Sequence, residues 1–254
     1  MPDFTARHLA NLAWSVATRL VQDHPLMQAI SASSLTRMKE YAPQNLSNPA
    51  WALSKLSFVD RPLRNAIAAS ALPTLASTDS QGMSNLAWSL STCQLHHSPL
   101  LDSIAASAIP KICSWRHQNL ANTAWAYAKL VLHNWTLINA IAAESLPKIH
   151  EFGSQGLINL AWALSKLCFS DEPLMTSLSA ESLKLLTELA TQDLANIAWS
   201  FATLVMPDIP LLSAISSQSL RLHEEFGPQD LSITAWSFAR LNINDTPLLD
   251  SLSS

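Results

Sequence analysis

Small and apolar positions alternate with polar ones at helical spacing along the chain, and one segment of that pattern returns seven times. The copies are RHLANLAWSVAT, QNLSNPAWALSKL, QGMSNLAWSLST, QNLANTAWAYAKL, QGLINLAWALSKL, QDLANIAWSFATL and QDLSITAWSFARL. Their tryptophans are Trp14, Trp51, Trp88, Trp125, Trp162, Trp199 and Trp236, each 37 residues after the last (51 − 14 through 236 − 199). A fixed period of this size is the signature of a repeat architecture.

Counting each repeat from its tryptophan as position 0, Gln stands at −7 in six copies, preceded by helix-starting residues such as Pro43, Ser80, Ser154, Thr191 and Pro228. The pattern predicts a helix A from there to about +7, interrupted only by Pro49. A polar loop follows, with Asp23, Asp60, Asp171, Asp208 and Asp245 at +9. Pro25, Pro62, Pro99, Pro173, Pro210 and Pro247 at +11 then open a helix B, since proline is tolerated in a first helical turn. Pro73, Pro110 and Pro147 recur inside helix B, so it is either kinked or split. Gly153 and Gly227 are expected to mark its end. Two helices per period predict an all-α fold, an α-solenoid of about seven helix-turn-helix repeats. The chain reads as a single array over residues 1–254, out of phase at both ends and so expected to be a segment of a longer one.

On a helical wheel with the tryptophan at 0°, positions −5, −2, +2 and +5 form an apolar face between about 140° and 220°. The tryptophan and the apolar +7 residue (Phe58, Leu95, Leu132, Phe169, Met206, Ile243) share the opposite side, where the tryptophan is expected to be a buried spacer between repeats. Trp115 shares a column with Tyr41, Phe152 and Phe226 and is expected in the core; Trp135 falls in a loop column with no assigned role. Small residues at −4, −1 and +3 allow close helix approach. The arc from about 40° to 120° stays open and holds −3, +1, +4 and +8. Position −3 carries Asn11, Asn48, Asn85, Asn122, Asn159 and Asn196, broken only by Ile233. Position +1 is Ser or Ala, including Ser15, Ser89, Ser200 and Ser237. Position +4 carries Thr18, Lys55, Thr92, Lys129, Lys166, Thr203 and Arg240.

The net charge of −4 argues mildly against a binder of bulk polyanion, but the open columns hold no acid. They carry +4 (Lys55, Lys129, Lys166, Arg240) while the rest of the chain carries −8. Asn offers a donor and an acceptor that suit a base edge or an extended backbone, and Lys neutralises phosphate. The tryptophan could add a stacking edge. The alternatives are structural: an asparagine bonded to the neighbouring repeat, and a solvated lysine face. Cys93, Cys113 and Cys168 fall in core-like columns at spacings that fit neither a disulfide framework nor a zinc site. His96, His97 and His133 are read as loop residues. No nucleophile elbow, carboxylate pair or phosphate loop emerges, so neither a catalytic residue, a metal site nor a cofactor is expected. No apolar run reaches the length of a membrane span, and no transit peptide is visible at MPDFTARHLA.

The pattern Q-x-L-(A/S)-N-x-A-W-(A/S)-(L/F)-(A/S)-(K/T)-L resembles the octotricopeptide and heptatricopeptide repeats of organellar proteins, and the leucine-rich repeats of FAST-kinase-like proteins, which are often followed by a RAP domain. The 37-residue period is most similar to the heptatricopeptide type. The resemblance implies an α-solenoid in a mitochondrion or plastid that binds single-stranded mRNA or rRNA and governs its processing, stability or translation. It implies other proteins of an RNA granule or ribosome as partners, with no membrane and no small-molecule substrate. The asparagine, serine and Lys/Thr/Arg columns are the expected RNA-binding residues. The rival readings are a scaffold gripping an extended peptide and a structural part of an organellar ribonucleoprotein.

Overall fold

The computed structural model describes residues 4–248. Thirteen α-helices and no strand occur among them. In chain order they are α1 (Ala6–Thr18), α2 (His24–Thr36), α3 (Pro43–Lys55), α4 (Arg61–Ala71), α5 (Ser80–Thr92), α6 (Ser98–Ala108), α7 (His117–Lys129), α8 (Trp135–Ser145), α9 (Ser154–Lys166), α10 (Glu172–Lys184), α11 (Thr191–Thr203), α12 (Ile209–Arg221) and α13 (Pro228–Arg240). Odd helices are the predicted A helices and even ones the B helices. The chain forms two compact units, one of residues up to 130 with 134–137, the other of 131–133 with 138 onward. In the first, α1, α3, α5 and α7 stack side by side, with α2, α4 and α6 as a second layer; in the second, α9, α11 and α13 stack over α10 and α12. Each unit is an α-solenoid of helix pairs. No described helix is long and apolar enough to cross a membrane.

The A helices contact one another more extensively than the B helices do. Small residues allow it: Ala13, Ala50, Ala87, Ala124, Ala161 and Ala198 at −1 and Ala17, Ser54, Ser91, Ala128, Ser165 and Ala202 at +3 are all buried. Ser54 Oγ bridges the seam, donating to Ala50 O at 3.0 Å and Ser89 O at 3.1 Å. The opposite face of each A helix is the core side. Leu9, Leu46, Met83, Leu120, Leu157 and Leu194 at −5 and Val16, Leu53, Leu90, Tyr127, Leu164, Phe201 and Phe238 at +2 are buried there. Tyr41, Trp115, Phe152 and Phe226 are buried as well, Trp115 to 1% exposure. Tyr127 Oη donates to Leu101 O at 2.6 Å, tying α7 to α6.

Every A helix ends at +4, earlier than the wheel implied. The residue at +6 in all seven repeats (Leu20, Ser57, Gln94, Val131, Cys168, Val205, Asn242) has φ between 52° and 57°. Its N–H and the next one fold back, as when Ser57 N donates to Ser54 O at 3.1 Å and Phe58 N to Leu53 O at 2.8 Å. This pair of bonds is a Schellman motif, in which the residue after the left-handed one is apolar. The apolar +7 column is therefore the closing residue of a helix stop, not part of the helix face. Glycine normally fills the left-handed place, and its absence here hid the boundary.

Asp23, Asp60, Asp171 and Asp208 are the N-caps of the B helices, each accepting from the N–H three residues on at 2.8–3.0 Å. His97 and Asn134 do the same through Nδ1 and Oδ1. Trp135, unassigned from the sequence, is the first residue of α8 and 45% exposed. The recurring prolines split helix B. Where Thr36, Lys184 or Arg221 stands at that position the α-helix runs 13 residues; with Pro73, Pro110 or Pro147 it stops after 11 and passes directly into a six-residue 3-10 helix. The missing proline N–H and the ring's clash with the carbonyl four residues back forbid the longer helix. Gly153 and Gly227 are N-caps of α9 and α13 with negative φ, and do not terminate helix B. Cys93 is half-buried, while Cys113 and Cys168 are exposed rather than in the core.

Two predictions follow from these local structures. Val205 is exposed and β-branched in a left-handed conformation that costs an L-residue about 1–2 kcal/mol, so Val205→Gly should raise stability by about 1 kcal/mol in urea denaturation. Burial first, then the charge of Asp102, pushes the Tyr127 phenol above its ordinary value, and burial does the same at Tyr41 against the opposing effect of its hydrogen bond with Ser34. Folded-state values above the unfolded one of about 10 mean that stability is intact below that pH and falls as pH climbs past it. The denaturation midpoint against pH, together with phenolate absorbance, checks this.

Candidate nucleic-acid interface

Although α1 and α13 also expose Ser15, Ser232 and Ala239, the uncovered surface that the A helices share is a single narrow stripe, with A helices on both flanks of α3, α5 and α11 and the core behind each. It runs along positions −7, −3, 0 and +4, one residue per turn. At its N-terminal end Gln81, Gln118, Gln155, Gln192 and Gln229 are exposed. Next come the asparagines: Asn11 is exposed, and Asn48, Asn85, Asn122, Asn159 and Asn196 are half-buried. The tryptophans follow. The stripe closes at +4 with Thr18, Lys55, Lys166 and Arg240 exposed and Thr92, Lys129 and Thr203 half-buried.

The six asparagine side chains make no hydrogen bond among the described residues, neither to the neighbouring repeat nor to a loop. What Asn11 and Asn196 supply is their main-chain carbonyl, which accepts from Ser15 Oγ at 2.8 Å and Ser200 Oγ at 2.7 Å. The amides are thus free to meet a ligand, and the structural alternative of a bond to the next repeat is not realised. The cations at +4 are free of carboxylates too. Among the described residues the ion pairs Arg37–Glu40, Glu144–Lys148 and Glu181–Lys184 lie on the B helices and the turns that follow them. Lys55, Lys129, Lys166 and Arg240 form none. They also cap helix C-termini, where the macrodipole favours positive charge.

The +1 column departs from the expected open edge. Ser89, Ser200 and Ser237 are buried, and only Ser15 is exposed. Ser89 Oγ donates to Leu86 O and Ser237 Oγ to Ile233 O, at 2.8 and 2.7 Å. At 100° from the tryptophan this column lands in the seam between A helices, where only a small side chain fits. The +8 column lies in the loop, beyond the helix stop. Among the +4 threonines, Thr18 Oγ1 donates to Trp14 O at 2.8 Å, while the hydroxyls of Thr92 and Thr203 are buried without a partner. These threonines present methyl groups rather than hydroxyls.

The tryptophans depart from expectation more strongly. Trp14 and Trp236 are 48% and 44% exposed, and the other five are half-buried; none is a buried spacer. Their rings form a series along the stripe. In the first unit Trp51–Trp88 and Trp88–Trp125 centroids are each 6.5 Å apart with planes inclined at 35° and 24°. In the second, Trp162–Trp199 repeats the 6.5 Å spacing at 29°. Lys129 Nζ stands over the Trp125 ring at 4.5 Å, and Arg240 Cζ over Trp236 at 5.4 Å while its Nε donates to Ala202 O at 2.9 Å.

Fold and site together define a helical repeat protein whose A helices present a polar, cationic and aromatic stripe. The RNA-editing substrate-binding complex 6 protein family matches the chain over residues 100–254, more than half its length, and the chain belongs to that family. No curated protein matches its sequence. The family agrees with the sequence resemblance at the level of an RNA-associated helical protein, and not at the level of heptatricopeptide, octotricopeptide or FAST-kinase-like repeats.

If the asparagines serve a ligand rather than the fold, Asn85→Ala and Asn122→Ala should each change stability by less than about 0.5 kcal/mol, the range of substitutions that break no packing or hydrogen bond. Urea denaturation measures this, and a loss of 1 kcal/mol or more would return the column to a structural role.

Proposed function

We propose that this protein binds single-stranded RNA along the A-helix stripe as part of an RNA-editing substrate-binding assembly. The observation that carries the reading is the column of unpartnered amides at −3 on six A helices, joined on α3, α7 and α9 by an uncompensated cation at +4 of the same stripe, with Arg240 at +4 of α13. An amide with no protein partner offers a donor and an acceptor to a base edge. A cation two turns further along the same stripe neutralises the phosphate of the same strand. The family match supports the choice of RNA. In this reading the chain holds RNA and does no covalent chemistry. Its setting, by the repeat resemblance, is a mitochondrial or plastid ribonucleoprotein. The sites are Asn11, Asn48, Asn85, Asn122, Asn159 and Asn196 with Lys55, Lys129, Lys166 and Arg240; the serine column, buried in the seam, serves packing.

The test is binding to a randomised RNA pool at varied salt. With four phosphates neutralised, log affinity should fall against log salt with a slope of about −3, at roughly −0.7 per contact on a single strand. Changing Lys55, Lys129, Lys166 and Arg240 together to Glu should abolish binding. Binding that survives this change would place RNA elsewhere, and a wild-type chain that binds no RNA at all would favour the peptide scaffold.

A further inference from the structure

We infer that the tryptophan ladder is the base-binding part of this interface: each half-exposed indole receives one unstacked base, one per repeat. The inference rests on the RNA reading above and adds to it the groups that hold the bases and the conformation of the bound strand.

Three observations carry it. The first is exposure. A leucine would serve a buried seam better, yet an indole stands in all seven repeats and stays half in water, with the small residues at −1 and +3 doing the close packing. The second is spacing. The centroids of Trp51–Trp88, Trp88–Trp125 and Trp162–Trp199 lie 6.5 Å apart, about twice the 3.4 Å rise per base of a stacked strand. A strand laid in register with the rings must therefore be stretched about two-fold and unstacked. Its bases then expose their faces to the indoles. The third is what flanks each ring. The free Asn amide lies one turn towards the helix N-terminus and the Lys, Arg or Thr one turn towards the C-terminus. A base on the indole thus has an amide beside its edge and, on the cation-bearing helices, a positive charge beside its backbone. The positions of Lys129 over Trp125 and Arg240 over Trp236 show that these faces are reachable by a polar group. At Trp14, Trp88 and Trp199, where +4 is threonine, no cation of the same helix competes for the ring. Stacking tolerates any base, so the ladder supplies affinity and the asparagine column the reading.

The experiment compares a short unstructured RNA with an abasic strand of the same length and charge, on the intact chain, by anisotropy and indole fluorescence. The RNA should bind and quench the indole emission. The abasic strand should bind at least 10-fold more weakly, without quenching and with the same salt slope. A second arm uses Trp88→Leu and Trp88→Phe, with circular dichroism to confirm folding. Loss of one stacked base should weaken binding roughly 5- to 150-fold for the leucine variant, with most of it restored by phenylalanine. Equal binding of both strands, or RNA binding without quenching, overturns the inference while leaving the RNA reading intact. Absence of RNA binding by the wild-type chain overturns both.

Discussion

The close approach of neighbouring A helices is the constraint on which the rest of each unit depends. Helices normally pack 8–10 Å apart, at a distance set by the side chains between them. Here those side chains are alanine and serine at −4, −1, +1 and +3, nearly without exception, and they are buried on α3, α5, α7, α9 and α11. A larger residue at −1, +1 or +3 would push two repeats apart, whereas −4 holds Ile158 on α9. The seam also determines the surface: with both flanks and the back occupied, α3, α5 and α11 keep about one residue per turn for solvent. The 6.5 Å spacing of the indoles is a consequence of that seam, reproduced separately in both units.

The helix stop completes the arrangement. Because every A helix closes with the same left-handed residue at +6, the last helical position is always +4. That places the Lys, Thr or Arg at the end of the stripe, where a cation is favoured by the helix itself and remains free for an anionic ligand. On the proposed reading, stability and binding draw on the same charge. Holding seven non-glycine residues at positive φ is unfavourable, and the main-chain hydrogen bonds of the Schellman motifs, with an apolar closing residue that is half-buried in six of them, offset it.

Much of this was legible in the residues. The period, the two helices per repeat, the apolar face at −5, −2 and +2, and the proline-led start of helix B all follow from spacing and from the chemistry of single residues. The helix end was not legible, since Leu20, Val131 and Val205 look like helix continuation and only the backbone reveals their φ. Extending helix A to +7 shifted the expected open edge, which brought in the buried serines and left out Gln81, Gln118, Gln155, Gln192 and Gln229. The exposed face of the tryptophans was missed because a large apolar ring is ordinarily core, and hydrophobicity does not say which face water reaches. The glutamines were visible as a column filled in six of seven repeats; standing beside the helix-start residues, they were never weighed as surface. The division into two units leaves no trace, because the 37-residue period runs through residues 131–137 without interruption.

On the proposed reading the protein reads and holds RNA in different columns of one stripe, with amides, indoles and cations each on their own turn of the helix. The most direct measurement is photo-crosslinking of 4-thiouridine-substituted RNA to the intact chain, with the crosslinked peptides mapped by mass spectrometry. The expected result is attachment to the A helices at or beside Trp51, Trp88, Trp125, Trp162 and Trp199. Crosslinks confined to α4, α6, α10 and α12, or to the loops between helices, would contradict the assignment of the stripe as the RNA surface.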